Sequence, residues 1–80
     1  MDDHEIVKRI SDLADEEHQL ERSHTGEGLS AEKIERMQEV EVALDQCWDL
    51  LRQRRARRSA GQDPDEAMVR AESTVEGYKQ

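Results

Sequence analysis

The sequence predicts an all-α protein: an antiparallel helical hairpin followed by a short C-terminal helix, pairing into a dimeric four-helix bundle. Three observations carry this reading. The 80 residues are rich in Ala, Leu, Glu, Arg and Gln, which favour helix, and include one Trp, one Tyr and no Phe, a poor stock for a sheet. Apolar residues recur three and four apart along two long segments, the helical period. A Gly-rich break of loop length separates those segments, which suits antiparallel neighbours.

The first helix covers residues 3–22. Ile6, Ile10, Leu13 and Leu20 fall on one stripe, the seam of a coiled-coil-like helix. Glu17 interrupts the stripe; it reads as a carboxylate that reaches solvent near the loop, or pairs with Arg36 or Lys33 across the seam. Asp2, Asp3 and Glu5 place negative charge at the positive end of the helix dipole. Residues 23–29 break the pattern with two glycines, Gly26 and Gly28.

Ser30 caps a second helix over residues 31–60, and Leu29 with Ile34 occupies the positions of a hydrophobic staple. Its stripe is Ile34, Met37, Val40, Leu44, Cys47, Trp48 and Leu51. Val42 and Leu50 lie off that stripe, so the apolar face is broader than a two-helix seam needs. Gly61 is placed to end the helix as a C-terminal cap. Asp63, Pro64 and Glu66 then form a second start signal, giving a short helix over 64–72 with Ala67, Met68 and Ala71 on its apolar face. The tail, residues 73–80, contains Val75 and Tyr78 and reads as extended or partly ordered. The whole chain is one domain.

Facing positions in such a hairpin sum to about 53, twice the loop centre. Leu20 then meets Lys33–Ile34, Leu13 meets Val40, Ile10 meets Ala43–Leu44, and Ile6 meets Cys47–Trp48. The apolar layers match. The second helix overhangs the first from about Arg52 onward, where the third helix or a second subunit could pack.

Charged residues make up 40% of the chain and hydrophobic ones 34%. That balance borders on disorder, but the apolar residues are periodic. So small a core needs a further staple. The single Cys47 excludes an internal disulfide, and no dense Cys/His cluster signals structural zinc. Association remains, so a homodimer is expected through Val42, Trp48, Leu50 and Leu51. The net charge of −8 disfavours nucleic acid and anionic lipid. No apolar run approaches the ~20 residues of a membrane span. The acidic start is unlike a secretory signal, and with the unpaired cysteine it points to the cytoplasm.

Arg52, Arg54, Arg55, Arg57 and Arg58 form the sharpest local feature. They suit bidentate anion binding and would be the footprint of a nucleic-acid binder. The plainer reading has them neutralising the helix C-terminus, with Asp2, Asp3 and Glu5 brought near by the register and Asp63, Asp65 and Glu66 near in sequence. No aromatic interleaves them for base stacking. A second signal is Glu21 with His24 and Asp15 with His18, carboxylate and His three apart, as in di-iron bundles. Glu41 is the one seam-edge carboxylate of the second helix that would complete a metal set, and that helix has no His. Solvated helix faces account for such pairs as well, and no metal or other cofactor is expected. Cys47 reads as a small core residue, and Trp48 as core or interface anchor. No phosphate loop, nucleophile elbow or zinc spacing is present, so the chain reads as non-enzymatic, with an unidentified protein partner.

The stretch Leu44-Asp45-Gln46-Cys47-Trp48-Asp49-Leu50-Leu51-Arg52-Gln53-Arg54-Arg55-Ala56-Arg57-Arg58 resembles the signature of a small actinobacterial family catalogued as domain of unknown function 2630. Gly61-Gln62-Asp63-Pro64-Asp65-Glu66-Ala67, Val75-Glu76-Gly77-Tyr78 and Asp15-Glu16-Glu17-His18 extend the resemblance over nearly the whole chain. It implies a short, stand-alone, cytoplasmic helical protein, and it brings no catalytic or binding residues with it.

Overall fold

A computed structural model describes residues 2–22, 30–72 and 75 of the chain. The expected loop 23–29, with His24 and the staple residue Leu29, lies outside the described residues, as does Tyr78. The chain is an α-helical hairpin of two helices, α1 (Asp3–Arg22) and α2 (Ala31–Ser59), followed by a 3-10 turn at Pro64–Glu66. No strand occurs among the described residues.

Helix α1 starts with a reciprocal capping box. The Glu5 N–H donates to Asp2 Oδ1 at 2.8 Å, and the Asp2 N–H donates to Glu5 Oε1 at 3.2 Å. Ser30 caps α2 through its hydroxyl, which accepts from the Lys33 N–H at 3.2 Å. Past Ser59, Gly61 adopts φ 74°. The Gly61 N–H then reaches the Arg58 carbonyl at 3.2 Å and the Gln62 N–H the Arg57 carbonyl at 2.8 Å. This is a Schellman motif, in which glycine supplies the left-handed backbone at no steric cost.

The hairpin core is Ile6, Ile10, Leu50 and Leu51, with Leu44, Cys47 and Ala67 packed against it. Leu13 and Val40 are buried further toward the loop. The register is pinned by Glu16 and Arg36, paired bidentately across the two helices, with Nε and one Nη of Arg36 each donating to one carboxylate oxygen. The carboxylate that takes Arg36 is thus Glu16, one residue before the Glu17 that the seam pattern suggested.

Beyond the turn the chain departs from the expected helix over 64–72. Ala67 has φ −65° and ψ 140°, an extended conformation, and residues 67–71 run without helix. The cause is a set of α2 side chains that satisfy this backbone in place of a helical ladder. The Gln53 Nε2 donates to the Met68 carbonyl at 2.7 Å, and the Gln46 Nε2 to the Arg70 carbonyl at 3.2 Å. Helical backbone resumes at Glu72 and Val75, whose N–H donates to the Ala71 carbonyl at 3.2 Å, and Val75 is buried. This strap lies along α2 on a face turned away from the α1 seam, so α2 is covered on two sides. The breadth of its apolar face follows from that.

Among the described residues no helix is long and apolar enough to cross a membrane.

Candidate functional site

Two surfaces collect the chemistry-bearing residues: the arginine-rich end of α2 and the flank that carries Trp48. The first is organised by Arg54, which is 6% exposed. Its Nε donates to Asp3 Oδ1, while one Nη donates to the Pro64 carbonyl at 3.2 Å and to Asp65 Oδ1 at 3.0 Å. One guanidinium therefore joins the start of α1, the overhang of α2 and the 3-10 turn, a use of the planar fork that lysine cannot copy. Arg58 donates to Asp3 Oδ2 at 2.8 Å, and Arg57 reaches Glu66 Oε2 at 3.5 Å. Hydrogen bonds from Arg54 and then Arg58 hold the Asp3 carboxyl below its ordinary range. Likewise, the Arg36 hydrogen bonds lower Glu16.

Arg54, Arg57 and Arg58 are thus bonded to carboxylates of their own chain. Arg52 and Arg55 stay exposed. Asp49, 2% exposed, lies one turn before the cluster. It accepts from Gln53 at 2.9 Å and sits 3.5 Å from the Arg70 guanidinium. With Arg52 and Ala56, these residues line a shallow open groove beside the strap. The buried carboxylate orients Gln53 and holds Arg70 of the strap against α2, a role with no trace in spacing or composition.

The second surface is apolar. Trp48 is 46% exposed, Ile34 42% and Val7 53%. Residues turn by about 100° each along a helix, so Trp48 stands roughly a quarter-turn from the buried line of Val40 and Leu51. Ile34 lies on the line of Trp48. Val7 stands a similar quarter-turn from Ile6 and Ile10 on α1. In antiparallel helices both rotations lead to the same flank, so Val7, Trp48 and Ile34 share one side of the hairpin. Glu41 and Arg55 lie on the Trp48 line at intervals of seven residues.

The residues expected at an interface therefore separate. Leu50 (5% exposed) and Leu51 (2%) lie in the chain's own core and are not open to a partner. Leu50 lies off the stripe yet joins Ile6, Ile10 and Leu51 in the core cluster, against which Ala67 at the start of the strap also packs. Val42 is half-buried and lines a groove with Gln46 and Glu72. Trp48 remains on the surface.

Cys47 is half-buried in the core layer, and burial pushes its thiol upward, with Arg9 a smaller opposing influence. A thiol so placed is a poor nucleophile. Among the described residues no three His, Cys, Asp or Glu gather as metal ligands. Asp15, His18, Glu21 and Glu41 form no such group, and His24 lies outside the described residues.

No solved structure matches the chain. Among curated relatives, the uncharacterized proteins Rv0898c of Mycobacterium tuberculosis and Mb0922c of Mycobacterium bovis are each 48% identical over 77 residues, covering 95% of this chain and 88% of theirs. A family model described as "Protein of unknown function (DUF2630)" matches residues 2–80. The resemblance carried by the Leu44–Arg58 stretch thus extends along the chain, which belongs to this family.

Proposed function

We propose that the protein is a non-enzymatic helical interaction module, homodimeric through the Trp48 flank, with a structural or regulatory role. The observation that carries this reading is the exposure of Trp48, the chain's one tryptophan, together with Val7 and Ile34 on one side of the hairpin, apart from the exposed Met68 and Val69 of the strap. Large aromatics set among apolar neighbours anchor protein interfaces. A hairpin with so small a core also gains stability from association. The expected interface is narrowed to Trp48 with Val7 and Ile34, because Leu50 and Leu51 are spent inside the chain. The unpaired Cys47 fits a reducing compartment, and we place the protein in the cytoplasm on that ground.

Nucleic-acid binding through the arginine cluster has weaker support. Arg54, Arg57 and Arg58 already bond Asp3, Asp65 and Glu66, so a phosphate would have to displace carboxylates of the chain itself.

Light scattering on a size-exclusion column tests the reading. A mass of two chains, lost in Trp48→Glu with helicity kept, is the expected result. A mass of one chain at every concentration overturns the homodimer.

A further inference from the structure

Charge is arranged along the Trp48 flank with a sense. Glu41 stands seven residues before Trp48 and Arg55 seven after it, on one heptad line of α2. On the adjacent line, Asp45 stands three residues before Trp48 and Arg52 four after it. The N-terminal half of the strip is therefore acidic and the C-terminal half basic, with the exposed indole between. Glu41, Arg52 and Arg55 are exposed and Asp45 is half-buried.

We propose that the occupant of this flank is a second copy of the chain, with α2 laid antiparallel on α2 about a two-fold axis at Trp48. The proposal rests on the homodimer reading and adds its geometry. A two-fold contact is isologous: a residue a given distance before the axis meets the residue the same distance after it on the other copy. Such an axis brings Glu41 to Arg55 of the second copy and sets Asp45 one residue, about 1.5 Å, out of step with its Arg52, within reach of the long guanidinium, each pair formed twice. The two Trp48 indoles meet at the axis, where aromatic pairs gain from offset stacking. A parallel arrangement sets Glu41 on Glu41 and Arg55 on Arg55, and like charges in register are repulsive. The pattern therefore selects orientation, as charged flanking positions do in coiled coils. The heptad spacing of Glu41, Trp48 and Arg55 keeps all three on the contact line as the helices wrap. Each chain carries a net charge of −8, which opposes association at long range. Salt near 0.15 M shortens that repulsion to about 8 Å and leaves close pairs in place.

The test exchanges the two halves. An acid-to-base variant carries Glu41→Arg with Asp45→Arg, and a base-to-acid variant carries Arg52→Glu with Arg55→Glu. Each alone places like charges against like. Dimerisation, read by light scattering, is expected to weaken at least about tenfold in each. Mixed in equal amounts, the two variants are complementary, and a mass of two chains returns. Circular dichroism confirms that each variant is folded. Where a double variant loses helicity, Glu41→Arg and Arg55→Glu used singly and then mixed read the same effect. A wild-type dimer whose variants stay dimeric, or whose mixture stays monomeric, overturns the antiparallel arrangement and leaves the homodimer standing. A wild-type monomer at every concentration overturns both.

Discussion

Arg54 does at the scale of one side chain what a disulfide or metal does in other small domains. It ties Asp3 to Pro64 and Asp65 across the mouth of the hairpin, joining parts of the chain that are distant in sequence. Replacing it with Met is expected to lower the thermal midpoint more than the same change at the exposed Arg52 or Arg55, and Lys is expected not to restore it. The pH dependence has a definite sign. Asp3 and Glu16 titrate lower in the folded chain than in the unfolded one. Their stabilisation is therefore complete above the unfolded carboxylate value, about 4. It is lost as pH falls through the folded values. Melting curves from pH 7 down to pH 2 are expected to show a drop below about pH 4 that is shallower in Arg54→Met. Equal acid slopes in the two proteins would count against the Arg54–Asp3 pair. The neutralisation of the arginine cluster was legible from charge and register. The singling out of Arg54 was not, because one-dimensional spacing does not show which of five arginines turns toward the hairpin mouth.

Among the elements, the strap over residues 67–71 is where local sequence and tertiary structure disagree. Asp63 and Pro64 do start a helical turn, and the Asp63 carboxylate caps it, accepting from the Asp65 N–H at 2.9 Å. The turn then stops at Glu66, whose side chain goes to Arg57 rather than back to its own cap. A 64–72 helix would carry its backbone bonds internally; the extended strap takes them from Gln46 and Gln53. Long-range side-chain bonds of this kind override local propensity and leave no periodic mark. By contrast, both long helices were readable, since caps and apolar period agree at each of their described ends. The Asp2–Glu5 capping box is also written in the sequence, as an acidic cap followed three residues later by Glu. The Gln53 bond to the Met68 carbonyl is worth about 1 kcal/mol. In Gln53→Leu, release of the strap is expected to be about fivefold more populated, and tryptic cleavage after Arg70 is expected to quicken correspondingly while cleavage within α2 does not. An unchanged rate at Arg70 would show that the strap is held by packing rather than by this bond.

Taken whole, the molecule is a hairpin covered on one side by its own strap and left apolar on a flank. Its sequence announced an apolar face too broad for two helices. It did not announce which part of that face the chain covers itself, because Leu50 and Trp48 look alike as off-seam or seam-edge hydrophobes until the strap is placed. With Leu50 covered and Trp48 exposed, α2 presents a strip on which acidic and basic halves flank one indole, while Met68 and Val69 of the strap are exposed elsewhere. As the chain's one tryptophan, Trp48 reports its own surroundings. The most direct measurement is its emission spectrum across a dilution series at constant salt, with helicity followed in parallel. The expected result is a shift to longer wavelength on dilution at unchanged helicity, as the indole leaves a dimer contact for water. An emission maximum fixed at the solvent-exposed position from the highest concentration to the lowest would contradict docking of a second copy on this flank.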